Sequence, residues 1–224
     1  VFLATSDGKR IHGWFHPAPE SDSTLLWFHG NAGNLTDRLG HLQTLSLLGI
    51  NIFSIDYRGY GKSEGSPNEE GIYRDADAAY RFLAEEKGFH PAQIIIYGIS
   101  LGSAVAVDLA ARKRCAGLIL SAPFTSARAM ARKMFRVPFI EYFPRTRFDN
   151  LGKIGKIQVP ILIFHGTQDD TVPFRMGKNL FEAANEPKFF SPVKGAGHND
   201  IHVIERESYL SQMRRFMDFS RKGN

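Results

Sequence analysis

Residues 94–111 read IIIYGISLGSAVAVDLAA. Ile94 to Tyr97 is the apolar, β-branched run of a buried strand, and Val105 to Ala111 has the look of a buried helix. Gly98, Ser100 and Gly102 stand at the junction, where a core needs neither a hydroxyl nor flexible backbone. Their spacing is G-x-S-x-G. A serine on a sharp strand-to-helix turn projects its oxygen above the sheet. Such a turn is crowded and needs neighbours without side chains, which Gly98 and Gly102 supply. The helix that follows points its free N–H groups and the positive end of its dipole at the serine, favouring a developing negative charge. A glycine-rich turn with a capping serine would use the same residues, but would not explain their place between a buried strand and a buried helix. Ser100 is therefore the candidate nucleophile.

Outward from this stretch, short apolar runs alternate with helical patterns. The expected strands are Arg10–Phe15, Thr24–Phe28, Asn51–Ile55, Ile94–Tyr97, Gly117–Ser121, Ile161–Phe164 and Lys188–Val193. Thr36 is placed to cap a helix running to about Leu48. Ile72, Tyr73, Ala76, Ala79, Tyr80 and Leu83 recur at helical spacing, Pro173 suits the first turn of a helix to about Ala184, and a last helix runs near Ile204 to Ser220. The alternation predicts an α/β fold: a mostly parallel central sheet covered by helices on both faces, with the first two strands forming an antiparallel edge. No linker or repeat divides residues 1–224, which read as a single domain. Residues 124–148 stand outside the alternation as a short, lid-like insertion.

In open α/β sheets the chemistry gathers at the carboxyl ends of the strands. A serine at its ordinary pKa needs a base held by an acid. After the run at 188–193 comes KGAGHND, where Gly195 and Gly197 let His198 fold back over the sheet as the candidate base. Of the other histidines, His12 and His16 lie near edge strands, His41 and His90 on surface helix or turn, and His202 in the following helix. After the run at 161–164 comes HGTQDDTVP; Asp169 or Asp170 is the candidate acid, and either could instead cap the helix opened by Pro173. After Phe28 comes HGNAGN. A tetrahedral intermediate needs two backbone N–H donors. One is expected from Leu101, the residue after the nucleophile, and the other from Asn31, with Ala32 as second choice.

DYRGYGKSEG, residues 56–65, carries Gly-Lys-Ser after a strand but is no phosphate loop: the position five before Gly61 is Asp56, and Gly65 and Pro67 stop any helix after the lysine. It reads as a supporting turn in which Asp56 or Arg58 makes hydrogen bonds below the site. His29, His165, His198 and Asp169 have no metal-ligand spacing, so no metal is expected.

Hydrophobic residues make up 43% of the 224 and charged residues 23%, a soluble globular composition with no run of membrane-helix length. The net charge of +5 is spread along the chain, with one cluster at 128–136, and no nucleic-acid motif accompanies it. Cys115 is the single cysteine and reads as a core thiol, which fits a reducing, cytoplasmic setting. The chain opens on Val1, not Met, and the reading leaves room for a lost amino-terminal leader or anchor.

With these residues in view, the sequence resembles the α/β-hydrolase superfamily, and within it small, cap-poor serine hydrolases such as Bem46-like proteins and the eukaryotic protein depalmitoylases. HGNAGN, RGYGKSEG, GISLG, HGTQDDTVP and GAGHND occur in the expected order, and the resemblance runs from about residue 8 to residue 218. The family's acid motif, H-G-x-x-D-x-x-V-P, aligns its aspartate with Asp169. The resemblance thus implies Ser100 as nucleophile, His198 as base, Asp169 as orienting acid and oxyanion donors at Asn31 and Leu101, with no cofactor. Many relatives carry an amino-terminal membrane anchor or lipidated segment.

In the lid-like segment, Ala127, Met130, Ala131, Met134 and Phe135 share one helical stripe, with Arg128, Arg132, Lys133 and Arg136 largely off it. It reads either as a helix packing its apolar side on the domain or as the roof of an acyl groove made by Met134, Phe135, Phe139 and Phe143, its basic face near anionic lipid. The expected function is cleavage of carboxylic esters or thioesters, small-molecule or lipid-acyl, through an acyl-enzyme. A peptidase or amidase, and a non-catalytic binding protein on the same fold, are the alternatives.

Overall fold

The computed structural model describes residues 1–135 and 146–222. Among them, eight strands make one sheet: β1 (Phe2–Ala4), β2 (Arg10–His16), β3 (Thr24–Phe28), β4 (Asn51–Ile55), β5 (Ile94–Ile99), β6 (Gly117–Ser121), β7 (Ile161–Gly166) and β8 (Lys188–Val193), in the order β1-β2-β4-β3-β5-β6-β7-β8. From β4 to β8 all neighbours are parallel, and β2 runs antiparallel to both β1 and β4. The antiparallel edge is present, but β3 is not part of it. The crossover from β3 places β4 beside β2, and β1 supplies the outermost strand.

The helices are α1 (Leu39–Ser46), α2 (Glu69–Arg81), α3 (Leu101–Arg112), α4 (Ala127–Phe135), α5 (Leu151–Ile154), α6 (Phe174–Ala183), α7 (Ile201–Ile204) and α8 (Arg206–Lys222). The cap before α1 differs from expectation. Leu35–Arg38 is a separate 3-10 turn capped by Asn34, whose side chain accepts from the Thr36 N–H and hydroxyl at 2.9 and 2.7 Å.

Alternation along the strands divides the core. Leu26, Phe28, Ile96, Leu118 and Ile163 face α2, α3, α5 and α6; Leu25, Trp27, Ile95, Tyr97, Ile119 and Phe164 face α1, α7 and α8. Gly102–Ala110 of α3 is buried throughout, and its one charged side chain, Asp108, is paired with Arg112 and Lys153. Cys115 is a buried free thiol, pushed up to about 12 by that burial.

The base of the lid-like segment is pinned. Ala127 N donates to Arg147 O at 2.8 Å, and the Arg147 and Phe148 N–H groups donate to the Glu69 carboxylate at 2.6 and 3.0 Å. On α4, Ala131 is buried and Ala127 and Met130 pack against the core. Met134, expected to roof a groove, is 65% exposed. It lies one turn beyond the contact made by Ala127, Met130 and Ala131. Phe139, Phe143 and the side chain of Phe135 lie outside the described residues.

Candidate active site

The register brings the relevant strand ends level: Phe28 pairs with Gly98, Ile99 with Ser121, Ser121 with Phe164 and Gly166 with Val193. Strand order reverses between β3 and β5, and a cleft of 510 Å³ opens there, lined by residues that include Gly30, Asn31, Arg38, Ser100 and His198.

Ser100 has φ +51 and ψ −115, a conformation that costs a non-glycine residue roughly 1–3 kcal/mol and persists only when its surroundings enforce it. They do. Ser100 N donates to Ser121 O at 3.0 Å, and its carbonyl accepts from Ser103 N and Oγ at 2.9 and 2.5 Å. A Cβ on Gly98 would lie 2.2 Å from Gly102 O, and one on Gly102 would lie 2.1 Å from Phe28 O, so both positions exclude a side chain.

His198 Nε2 lies 3.0 Å from Ser100 Oγ, and Nδ1 lies 2.8 Å from Asp169 Oδ2. A carboxylate accepts, so the imidazole proton sits on Nδ1 and Nε2 is free to accept from the serine hydroxyl. Two loops are zipped together to hold this pair. Thr167 N donates to Val193 O, Gln168 N to Ala196 O, and Gly195 N to Thr167 Oγ1, while Gly197 N is held by Asp200.

The Asp169 side chain is fully buried. Its Oδ1 accepts from the N–H groups of Thr171 and Val172 at 3.0 and 2.7 Å, and His165 Nε2 stands 3.4 Å from Oδ2. Burial pushes its pKa up, but donation from His165, His198 and Val172 outweighs burial and holds the carboxyl well below the usual range. Asp170 is exposed, its carboxylate accepting from the Thr171 hydroxyl. Leu101 opens α3, so its N–H has no carbonyl a turn earlier to bond. Asn31 lines the same cleft.

The turn at 56–65 lies beneath, as expected. The buried Asp56 accepts from Leu35 N and meets His12, Tyr57 OH donates to His29 O, and Tyr60 OH donates to Asn31 Oδ1. Arg58 is committed to Asp7 and Asp75. His41 is not on an outer surface. It lines the cleft and stacks on His202 at 3.8 Å, and burial, then His202 and Arg38, push its pKa well down. Sequence reading missed Arg38 and the support given by His165. The repeated His-Gly at the ends of β3 and β7 was the available signal for the latter. Among the described residues, no group of three or more His, Cys, Asp or Glu could hold a metal ion, and no helix is long and apolar enough to cross a membrane.

The family model described as serine aminopeptidase, S33, matches residues 19–152. Alpha/beta hydrolase domain-containing protein 17B of Homo sapiens is 40% identical over 222 residues, covering 95% of this chain and 73% of that protein. Among solved structures, the Pyrococcus furiosus esterase Pf2001 superposes with TM-score 0.82 at 20% identity, covering 97% of this chain and 90% of that one. Est1E from Butyrivibrio proteoclasticus, with ferulic acid bound, reaches 0.81 at 18% identity, covering 98% and 99%. These two are likenesses of fold. The identity to the human protein over nearly the whole chain carries the assignment: this chain belongs to the α/β-hydrolase superfamily and is a hydrolase.

Proposed function

We propose that the chain is a serine hydrolase that cleaves carboxylic esters or thioesters through an acyl-enzyme. The observation that carries this is the unbroken relay from Ser100 Oγ to His198 Nε2 at 3.0 Å and from His198 Nδ1 to Asp169 Oδ2 at 2.8 Å, at the mouth of a cleft. Ser100 Oγ attacks the carbonyl carbon while its proton passes to His198 Nε2. The carbonyl oxygen takes the displaced electron pair and is stabilised by the N–H groups of Leu101 and Asn31. The intermediate collapses, His198 protonates the leaving alcohol or thiol, and the acyl group stays on Ser100. Water then attacks that ester, giving its proton to His198, and releases the acid as Ser100 recovers its proton. Asp169 keeps the imidazole in the productive tautomer and stabilises its cation.

Hydrolysis of amides is the second reading, and the description of the matching family model favours it. Ser100→Ala tests both readings. It is expected to lower kcat on short p-nitrophenyl esters by about 10³–10⁶-fold, abolish labelling by a fluorophosphonate and leave the unfolding midpoint within reach of the wild type. Wild-type turnover by the variant would overturn the proposal. A higher kcat/KM on acyl-peptides than on esters and thioesters would move the assignment to the amide reading.

A further inference from the structure

We propose that Arg38 is a positioning residue that, by fixing the Asn31 and Ala32 carbonyls, immobilises the loop on which the Asn31 N–H is presented to the oxyanion; this rests on the serine-hydrolase reading above. In a planar trans peptide the carbonyl and the following N–H point in opposite directions. Fixing Gly30 O therefore aims Asn31 N–H, and fixing Asn31 O aims Ala32 N–H. Both carbonyls are held by side chains. His29, fully buried, has Nδ1 2.8 Å from Gly30 O, and because a carbonyl only accepts, Nδ1 carries the proton. Arg38 Nη2 donates to Asn31 O at 3.2 Å and to Ala32 O at 2.6 Å.

The loop needs such fixing. Asn31, Ala32 and Gly33 are exposed, so packing does not hold them. Ala32 has φ +64, which disfavours a residue with a Cβ, and Gly33 follows in the same region. Tyr60 OH anchors the Asn31 side chain at 2.6 Å but leaves the peptide planes free. The guanidinium comes from the end of the capped 3-10 turn, Leu35–Arg38, and lines the cleft with Ser100. Among the described residues Arg38 has no carboxylate within ion-pair distance, so its charge is not neutralised by direct pairing. Donation to a carbonyl also polarises that peptide and strengthens its N–H as a donor.

Arg38→Gln and Arg38→Lys test the role, because the half-exposed side chain can change without opening the core. Kinetics are read on a neutral p-nitrophenyl ester and on a p-nitrophenyl half-ester of a dicarboxylic acid. Amide hydrogen exchange is read on the resting protein. Arg38→Gln is expected to lower kcat by about 10–100-fold on both esters with KM nearly unchanged, and to speed exchange at residues 31–34. Arg38→Lys is expected to restore part of both. Unchanged kcat, unchanged exchange, or a loss confined to KM of the carboxylated ester would each overturn the proposal, the last by making Arg38 a substrate-anion contact. Fluorophosphonate labelling of wild-type Ser100 judges the hydrolase reading separately, and exchange reports on the loop whether or not that reading survives.

Discussion

At the scale of single residues, Asp169 does the most with the least freedom. Its side chain is fully buried, and backbone N–H groups and imidazoles meet both carboxylate oxygens. Burial alone would raise its pKa; the donors win, and the folded value lies below the ordinary one. A carboxyl depressed on folding stabilises the fold above the unfolded aspartate value of about 3.9 and loses that contribution as pH falls through it toward the folded value. Asp169→Asn should therefore be less stable than the wild type at neutral pH, with the gap narrowing as pH is taken from about 6 to about 3. Urea unfolding at several pH values measures this, and a gap that stays constant with pH would count against the ionised, donor-rich carboxylate. The same change should lower kcat by about 10³–10⁴-fold, because an amide no longer fixes the imidazole tautomer. Pattern alone did not separate Asp169 from Asp170, since two adjacent carboxyls after a strand share the same local chemistry. What divides them is which one turns in to meet His198, and His198 lies on another loop. His165 was equally hidden: a histidine at the end of a buried strand is visible in sequence, but its contact with Val172 O is not.

Among the elements, buried parallel strands were the most legible. Thr24–Phe28, Asn51–Ile55 and Gly117–Ser121, buried throughout, have the bounds read from sequence, because each is a largely apolar or β-branched run bounded by turn residues; the edge strand Lys188–Val193, only partly buried, also has the bounds read. β1 is three residues long, too short to show a period, and the pairing of β2 with β4 is a long-range choice that no local pattern encodes. α4 is legible in its buried stripe and not in its contacts. Its cations read as a solvated face, yet Lys133 Nζ donates to the carbonyls of Asp170 and Thr171, in the loop that carries Asp169. Lys133→Ala should loosen α4 from that loop, with faster amide exchange over residues 127–135. Exposed hydrogen bonds contribute modestly, so global stability should change by about 1 kcal/mol or less. The loss in kcat should stay within about fivefold, the equivalent of that same energy at the transition state. Exchange identical to the wild type would mean that the Lys133 contact does not hold α4, leaving the packing of Ala127, Met130 and Ala131 and the pinned base of the segment to do so.

For the whole molecule, the question is what keeps the turn at 56–65 rigid enough to support the loop above it. Arg58 answers it by joining three distant segments. Its backbone N–H and Nη2 donate to Asp75 of α2 at 2.8 and 2.9 Å, and Nη1 donates to Asp7 of the β1–β2 turn at 2.8 Å. The Arg58 side chain is 5% exposed and that of Asp75 is fully buried. The two acids respond differently: burial raises the Asp75 pKa despite Arg58, whereas the hydrogen bond from Arg58 lowers that of the more exposed Asp7. Removing one partner of a buried pair typically costs about 3–5 kcal/mol, a large share of the roughly 5–15 kcal/mol that holds a domain together. Arg58→Met should lose about that much at neutral pH. With the guanidinium gone, the backbone N–H of residue 58 still donates to Asp75, but the strongest opposition to the rise in its pKa is lost. A carboxyl raised on folding costs stability as pH climbs from its unfolded value to its folded one, so the variant should regain stability toward about pH 5. Pairing Arg58→Met with Asp75→Asn removes the stranded charge and should recover much of the loss at neutral pH, read as a higher urea midpoint than Arg58→Met alone. If the double variant were no more stable than the single one, the destabilisation would come from lost packing around the arginine stem, and the turn would owe its rigidity to Asp56, Tyr57 and Tyr60 instead.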